Sequence, residues 1–175
     1  GRYLYIPEGV QLVNGRVTVP LSVLTEAFDA SLTWNAATGV VAVTRGSGAL
    51  TPADQYYNQD DLFWLCRIIY AESGNQPLEG MMAVGNVVLN RVNDPIYPNT
   101  IVGVLAQKNQ FTTYQSGKLA NRTPNASSVI AAKLVLDGGV VEETKGATHF
   151  DSCSNSWASR HKTCVAVIGG HRFYA

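Results

Sequence analysis

No histidine occurs before His149, cysteine is limited to Cys66, Cys153 and Cys164, and charged side chains make up only 15% of the residues. Each shortage excludes something. The 13 basic and 13 acidic residues cancel, and without a basic stripe the chain lacks the electrostatic footprint of a nucleic-acid binder. No apolar run approaches the ~20 residues that a membrane-spanning helix requires. No leader pattern opens the chain at Gly1-Arg2-Tyr3, as expected for a processed or truncated polypeptide. No paired CxxC is present, and a zinc site on Cys153, His161 and Cys164 would lack a fourth ligand at the usual spacing. Neither a metal nor a cofactor is expected.

What is present is 46% apolar content over 175 residues, enough for one good core and a small satellite domain. Asn, Ser, Thr and Tyr carry much of the polar surface, a balance that suits an uncharged, hydroxyl-rich ligand such as a glycan. Cys66 lies in an apolar run and reads as a small core hydrophobe. Cys153 and Cys164 flank a polar loop, where a disulfide would stabilise by ~3 kcal/mol and imply an oxidising compartment. That disulfide ranks ahead of two free thiols, and the zinc site ranks last.

Residues 1–46 predict a compact ββαββ module. Gln11–Val13 and Arg16–Val19 flank Asn14-Gly15, the strongest short hairpin signal. Pro20 opens a helix over Leu21–Phe28, and Ser31–Trp34 with Val40–Thr44 forms a second hairpin. Residues 47–60, opening with the joint Gly46-Ser47-Gly48, read as a linker. Residues 61–175 predict a mainly helical domain with a small β element. Its helices run from a cap at Asp60 or Asp61 to Glu72, from Pro77 to Val92, from Thr100 through Gln107, and from a cap at Asn125 to Leu136. The second of these is apolar almost all round, the mark of a core helix. Extended runs follow at Ala147–Phe150, Val165–Ile168 and His171–Tyr174. The fold class is α+β.

The run Leu62-Phe-Trp-Leu-Cys-Arg-Ile-Ile-Tyr-Ala-Glu72 holds the most informative side chain. Leu62, Leu65, Cys66 and Ile69 share one helix face, and Glu72 falls three residues beyond Ile69 on that face. The carboxyl is therefore expected to point inward. Arg67, five residues away and ~140° around the helix, is a poor ion-pair partner. Burial and the negative end of the helix dipole both favour the neutral acid. A carboxylic acid held protonated near neutral pH is what a general acid needs to cleave a glycosidic bond.

Two resemblances extend this reading. Asn14-Gly15-Arg16, Val19-Pro20-Leu21, Ala27-Phe28-Asp29-Ala30, Trp34 and Val41–Thr44 resemble the copper amine oxidase N-terminal module. Copper binding is not implied, because this segment has no histidine, and a structural or wall-positioning role is expected. From Leu62 onward the chain resembles the spore cortex-lytic cell wall hydrolases of the SleB and CwlJ type. The matching stretches are Arg67–Ser73, Leu78–Val84, Val88–Val92, Pro98–Ile101, Gln110-Phe111, Ala147–Phe150, Ser156-Trp157 and Ile168–Phe173.

The second resemblance implies a lysozyme-like fold, a single catalytic acid at Glu72, and lytic transglycosylase action on the bond between N-acetylmuramic acid and N-acetylglucosamine. It also implies an extracellular, wall- or spore-associated protein that acts as a monomer on peptidoglycan glycan strands. Plain muramidase hydrolysis with Asp151 as second carboxylate is the alternative within the enzyme class. A non-catalytic wall-binding protein is the alternative outside it. Glu79, Asp94, Asp137, Glu142 and Glu143 read as solvated caps and loop charges. Expected substrate contacts are Tyr70, Asn86, Asn90, Gln110, Phe111, Trp157 and His171, with Tyr70 also readable as a rim aromatic and His171 as a core imidazole. For Asn90-Arg91 a lock between the helix end and a neighbouring loop is the favoured reading.

Overall fold

The computed structural model describes residues 1–175, which divide into two compact units, Gly1–Tyr56 and Tyr57–Ala175. In the first, β1 (Gln11–Val13) pairs antiparallel with β2 (Arg16–Thr18), with Leu12 opposite Val17. The turn between them places Asn14 at φ 50° and Gly15 at φ 73°, the paired left-handed geometry of a type I′ hairpin. Helix α1 (Leu21–Ala27) follows, then β3 (Ser31–Asn35) and β4 (Val40–Thr44), registered Leu32↔Val43 and Trp34↔Val41. The expected linker holds a one-turn helix, α2 (Ala53–Tyr56). The module buries little. Thr25 and Ala27 are its buried side chains, while Leu12, Val17 and Trp34 are 73%, 71% and 59% exposed.

The second unit carries the core. Helix α3 spans Gln59–Ser73, and Asn58 caps it by accepting from the backbone N–H groups of Asp60 and Asp61. This corrects the cap expected at Asp60 or Asp61, whose carboxylates instead occupy the first turn, where they favour the helix dipole. Helix α4 (Leu78–Asn93) is buried continuously from Gly80 to Val88, as its all-round apolar pattern requires. Helices α5 (Ile101–Leu105), α6 (Thr112–Gln115) and α7 (Ala126–Leu136) complete the layer before the sheet, with a 3₁₀ turn at Leu119–Asn121. Thr100 and Asn125 cap α5 and α7 as expected, accepting from Gly103 and Ser128.

Helices α3, α4 and α7 converge at Gly85. A Cβ there would lie 3.0 Å from Ile69 Cδ1 and 3.3 Å from Val135 Cγ2, so the close packing depends on the missing side chain. Leu65, Ile68, Ile69, Val84, Val87 and Val88 are fully buried around this junction, each stabilising by about 1.5–3 kcal/mol over exposure.

A 3₁₀ turn at Glu142–Thr144 leads into a three-stranded antiparallel sheet, ordered β5-β7-β6 from β5 (His149–Asp151), β6 (Cys164–Ile168) and β7 (His171–Tyr174). Helix α8 (Trp157–His161) sits between β5 and β6 in sequence. Gln76 Oε1, in the α3–α4 turn, accepts from Gly170 N at 2.7 Å and fastens the β6–β7 turn to the helices.

The expected Cys153–Cys164 disulfide is absent, and both side chains are exposed free thiols. Sheet order explains why. Cys164 opens β6 opposite Tyr174, whereas Cys153 leaves the sheet past the Asp151↔Arg172 pair on the other side of β7. Strands flanking a common neighbour lie ~9.6 Å apart, beyond the ~7 Å Cα separation that a disulfide tolerates. Cys66 is buried in α3, as its apolar run indicates.

Candidate active site

Glu72 lies in the last turn of α3, half-buried, at the wall of a cleft of about 460 Å³. Burial pushes its carboxyl above the ordinary glutamate value. The Thr113 hydroxyl opposes this shift by favouring the charged form. Thr113 Oγ1 is itself buried without a partner at hydrogen-bond length, so it approaches the carboxyl without closing a full bond. Arg67 is engaged elsewhere, donating to Phe63 O and Ala120 O and lying 3.5 Å over the Phe63 ring. No ion pair discharges Glu72.

Across the cleft stand Phe111, His149, Phe150, Asp151 and Trp157. Trp157, 55% exposed, stacks on His161 at 4.8 Å and 17° and meets His149 at 5.5 Å. The indole is thereby held in a fixed plane, the geometry that a sugar ring needs for stacking. Burial, reinforced by Arg91 and Lys162, holds the His149 imidazole near pKa 4, so it is neutral at pH 7. Asp151 lines the same cleft, but its carboxylate accepts from Ser156 Oγ, from Tyr174 Oη at 3.2 Å and from Cys153 N at 3.2 Å. These bonds tie β5 to the start of α8 and to β7.

The amides expected at the cleft divide. Gln110 lines it, with Oε1 accepting from Arg91 Nη1 at 2.9 Å. Asn86 does not. It is buried, donating to Gly139 O at 2.7 Å and accepting from Val141 N at 2.9 Å, so its amide braces the loop after α7. Asn90 likewise donates to Ala147 O at 2.8 Å and acts as a strut. Arg91, also buried, donates to Thr148 O at 2.6 Å and presents its other face to the cleft. His171 is buried between Phe150 and Phe173, off the cleft lining, and reads as a core imidazole.

Tyr70 lines a second cavity of about 470 Å³ that also includes Glu72, together with Asn75, Arg122 and Asn125. Glu72 therefore stands where two half-clefts meet. Thr113, Arg122 and Asn75 were not marked by the sequence, because nothing in their local runs signals which long-range neighbour they face.

A pH experiment follows from this geometry. With the neutral acid as the working form, the alkaline limb of the activity profile should lie above the ordinary glutamate value of 4.5. Thr113→Val removes a group that favours the carboxylate, so the limb should move to still higher pH, whereas Thr113→Ser should leave it in place. A limb unmoved by Thr113→Val would show that the hydroxyl does not tune Glu72.

Comparisons with known proteins agree with the helical unit. Residues 75–174 match the Cell Wall Hydrolase family model, and residues 1–52 match the copper amine oxidase N-terminal domain model. The chain is 38% identical over 121 residues to a spore cortex-lytic enzyme of Bacillus cereus, covering 67% of this chain and 45% of that protein. It is 33% identical over 118 residues to the Bacillus subtilis spore cortex-lytic enzyme, covering 67% and 38%. The matched region thus spans less than half the length of these relatives.

Among solved structures, the catalytic domain of the germination-specific lytic transglycosylase SleB from Bacillus anthracis superposes with a TM-score of 0.60 at 28% identity. That match covers 71% of this chain and all of that domain. The Bacillus cereus SleB catalytic domain gives the same score and identity over 74% of this chain. The family-model match over residues 75–174, on a scaffold shared with these solved domains, places the chain in the cell wall hydrolase family.

Proposed function

We propose that this protein is a peptidoglycan lytic transglycosylase that cuts the N-acetylmuramic acid–N-acetylglucosamine bond with Glu72 as acid and then base. The observation that carries the reading is a desolvated carboxyl at the junction of two half-clefts with no cation paired to it. Protonated Glu72 gives its proton to the glycosidic oxygen as the C1–O bond breaks. The resulting carboxylate takes the proton from the C6 hydroxyl of the same muramoyl residue, and O6 closes on C1. The product is a 1,6-anhydro ring, Glu72 is again protonated, and no water is consumed. An intramolecular nucleophile brings an effective concentration of up to ~10⁵–10⁸ M, so no second catalytic carboxylate is needed.

Hydrolysis with Asp151 as the second carboxylate is the other reading, favoured by its position on the same cleft. Its three hydrogen bonds argue against it, because they hold the oxygens to Ser156, Tyr174 and Cys153 rather than toward a water. Action at the wall or spore, outside the membrane, follows from the substrate. The ββαββ module is read as a positioning element.

The test is mass spectrometry of fragments released from vegetative sacculi and from spore cortex. Ends in 1,6-anhydromuramic acid support transglycosylation, hydrated reducing ends support hydrolysis, and no release from either preparation supports a binding protein. Trp157→Ala should weaken substrate binding by about 1 kcal/mol, the scale of one aromatic contact, read as a roughly fivefold rise in KM with kcat little changed.

A further inference from the structure

The two half-clefts that meet at Glu72 differ in their available charge. In the aromatic half, the one permanent cation is Arg91, which is buried and already bonded to Thr148 O and Gln110 Oε1. In the other half, Arg122 is exposed, and its guanidinium makes no ion pair or hydrogen bond within the chain. Glu72 is the only acidic residue on that wall.

The walls around Arg122 are fixed. Its backbone N–H donates to Leu119 O at 3.0 Å, closing the 3₁₀ turn that presents the side chain. Asn125 Nδ2 donates to Gly74 O at 2.9 Å, while Asn125 Oδ1 accepts from Ser128 N at 2.8 Å. The start of α7 is thereby clamped to the end of α3, the helix that carries Glu72. A guanidinium without a partner, lining the same cavity as Glu72 on a braced wall, suits a ligand that brings its own carboxylate, because the charge-assisted pair forms without first breaking an internal one.

A glycan strand supplies one. N-acetylglucosamine is neutral, whereas each muramoyl residue bears a lactyl carboxyl, either free or extended by a peptide stem that carries carboxylates of its own. We propose that the half-cleft of Tyr70, Asn75, Arg122 and Asn125 binds the carboxylate of a muramoyl residue next to the scissile bond, with Arg122 as its cation. Arg122 then selects strands that keep this charge over strands in which it is neutralised. The inference rests on the transglycosylase reading for the identity of the strand, and its test does not require turnover.

The experiment is calorimetric binding of soluble muramoyl tetrasaccharides to the full chain in a Glu72→Gln background, with and without Arg122→Gln. Three ligands are used: stems intact, stems removed by an amidase to free the lactyl carboxylate, and all carboxyls capped as methylamides. Arg122→Gln should weaken binding about tenfold for the charged ligand that supplies the carboxylate. Loss on the stem-bearing ligand assigns the stem, and loss on the stripped ligand assigns the lactyl group. The capped ligand should bind the Glu72→Gln parent about tenfold more weakly than its charged counterpart and be indifferent to Arg122→Gln. Arg122→Lys should restore part of the affinity, and added salt should shrink the difference. Equal affinity for charged and capped ligands, or an equal loss on both with Arg122→Gln, overturns the proposal. The transglycosylase reading fails separately, if wild-type protein releases no anhydro ends.

Discussion

Glu72→Gln should lower fragment release by about 10²–10⁴-fold, the contribution of a positioned general acid, while the protein stays folded. The amide keeps the shape of the carboxyl and cannot give up a proton to the leaving oxygen. The same substitution carries a stability signature that a bystander glutamate would not. Burial raises the Glu72 pKa in the folded state, so the fold favours the protonated acid. Its favourable contribution is complete below the ordinary glutamate value and is lost as pH rises through the raised folded value. The melting temperatures of wild type and Glu72→Gln should therefore diverge with rising pH, with the glutamine variant the more stable one near neutrality. Thermal melts between pH 4 and pH 8 check this. A constant difference across that range would mean that Glu72 titrates normally.

Asn86→Leu should destabilise the second unit by about 3 kcal/mol, because one side chain satisfies two buried backbone groups. Without the amide, Gly139 O and Val141 N lose the partners they have at 2.7 and 2.9 Å, and leucine adds bulk to a filled site. A domain of this size should lose roughly 10 °C in Tm. Substrate affinity measured well below the melting point should not change, since Asn86 does not line the cleft. A large rise in KM with an unchanged Tm would return Asn86 to the substrate-contacting role that its place on α4 first suggested.

Asn86 also marks the limit of what local sequence signals carry. Local signals were legible: Asn14-Gly15 made its turn, Thr100 and Asn125 capped their helices, and the all-round apolar run of α4 went to the centre of the core. The inward face of Glu72 followed from helical periodicity alone. Contacts across distance were not legible. The Asn86 amide bonds groups 53 and 55 residues further along the chain, and its helical spacing from Asn90 carries no trace of them. The cysteine pair failed for a similar reason, since closeness along a loop does not reveal that its two ends leave opposite sides of β7. Thr113 and Arg122 became visible only when α6 and the turn at Leu119–Asn121 were placed near the end of α3.

The most direct measurement is a carbon-13 NMR titration of the side-chain carboxyls, with the Glu72 signal assigned by its loss in Glu72→Gln. A cleft that withholds water from this group predicts a midpoint clearly above 4.5, rising further in Thr113→Val. A midpoint at or below that value would contradict the account, because the acid would then be ionised at the pH where it must donate.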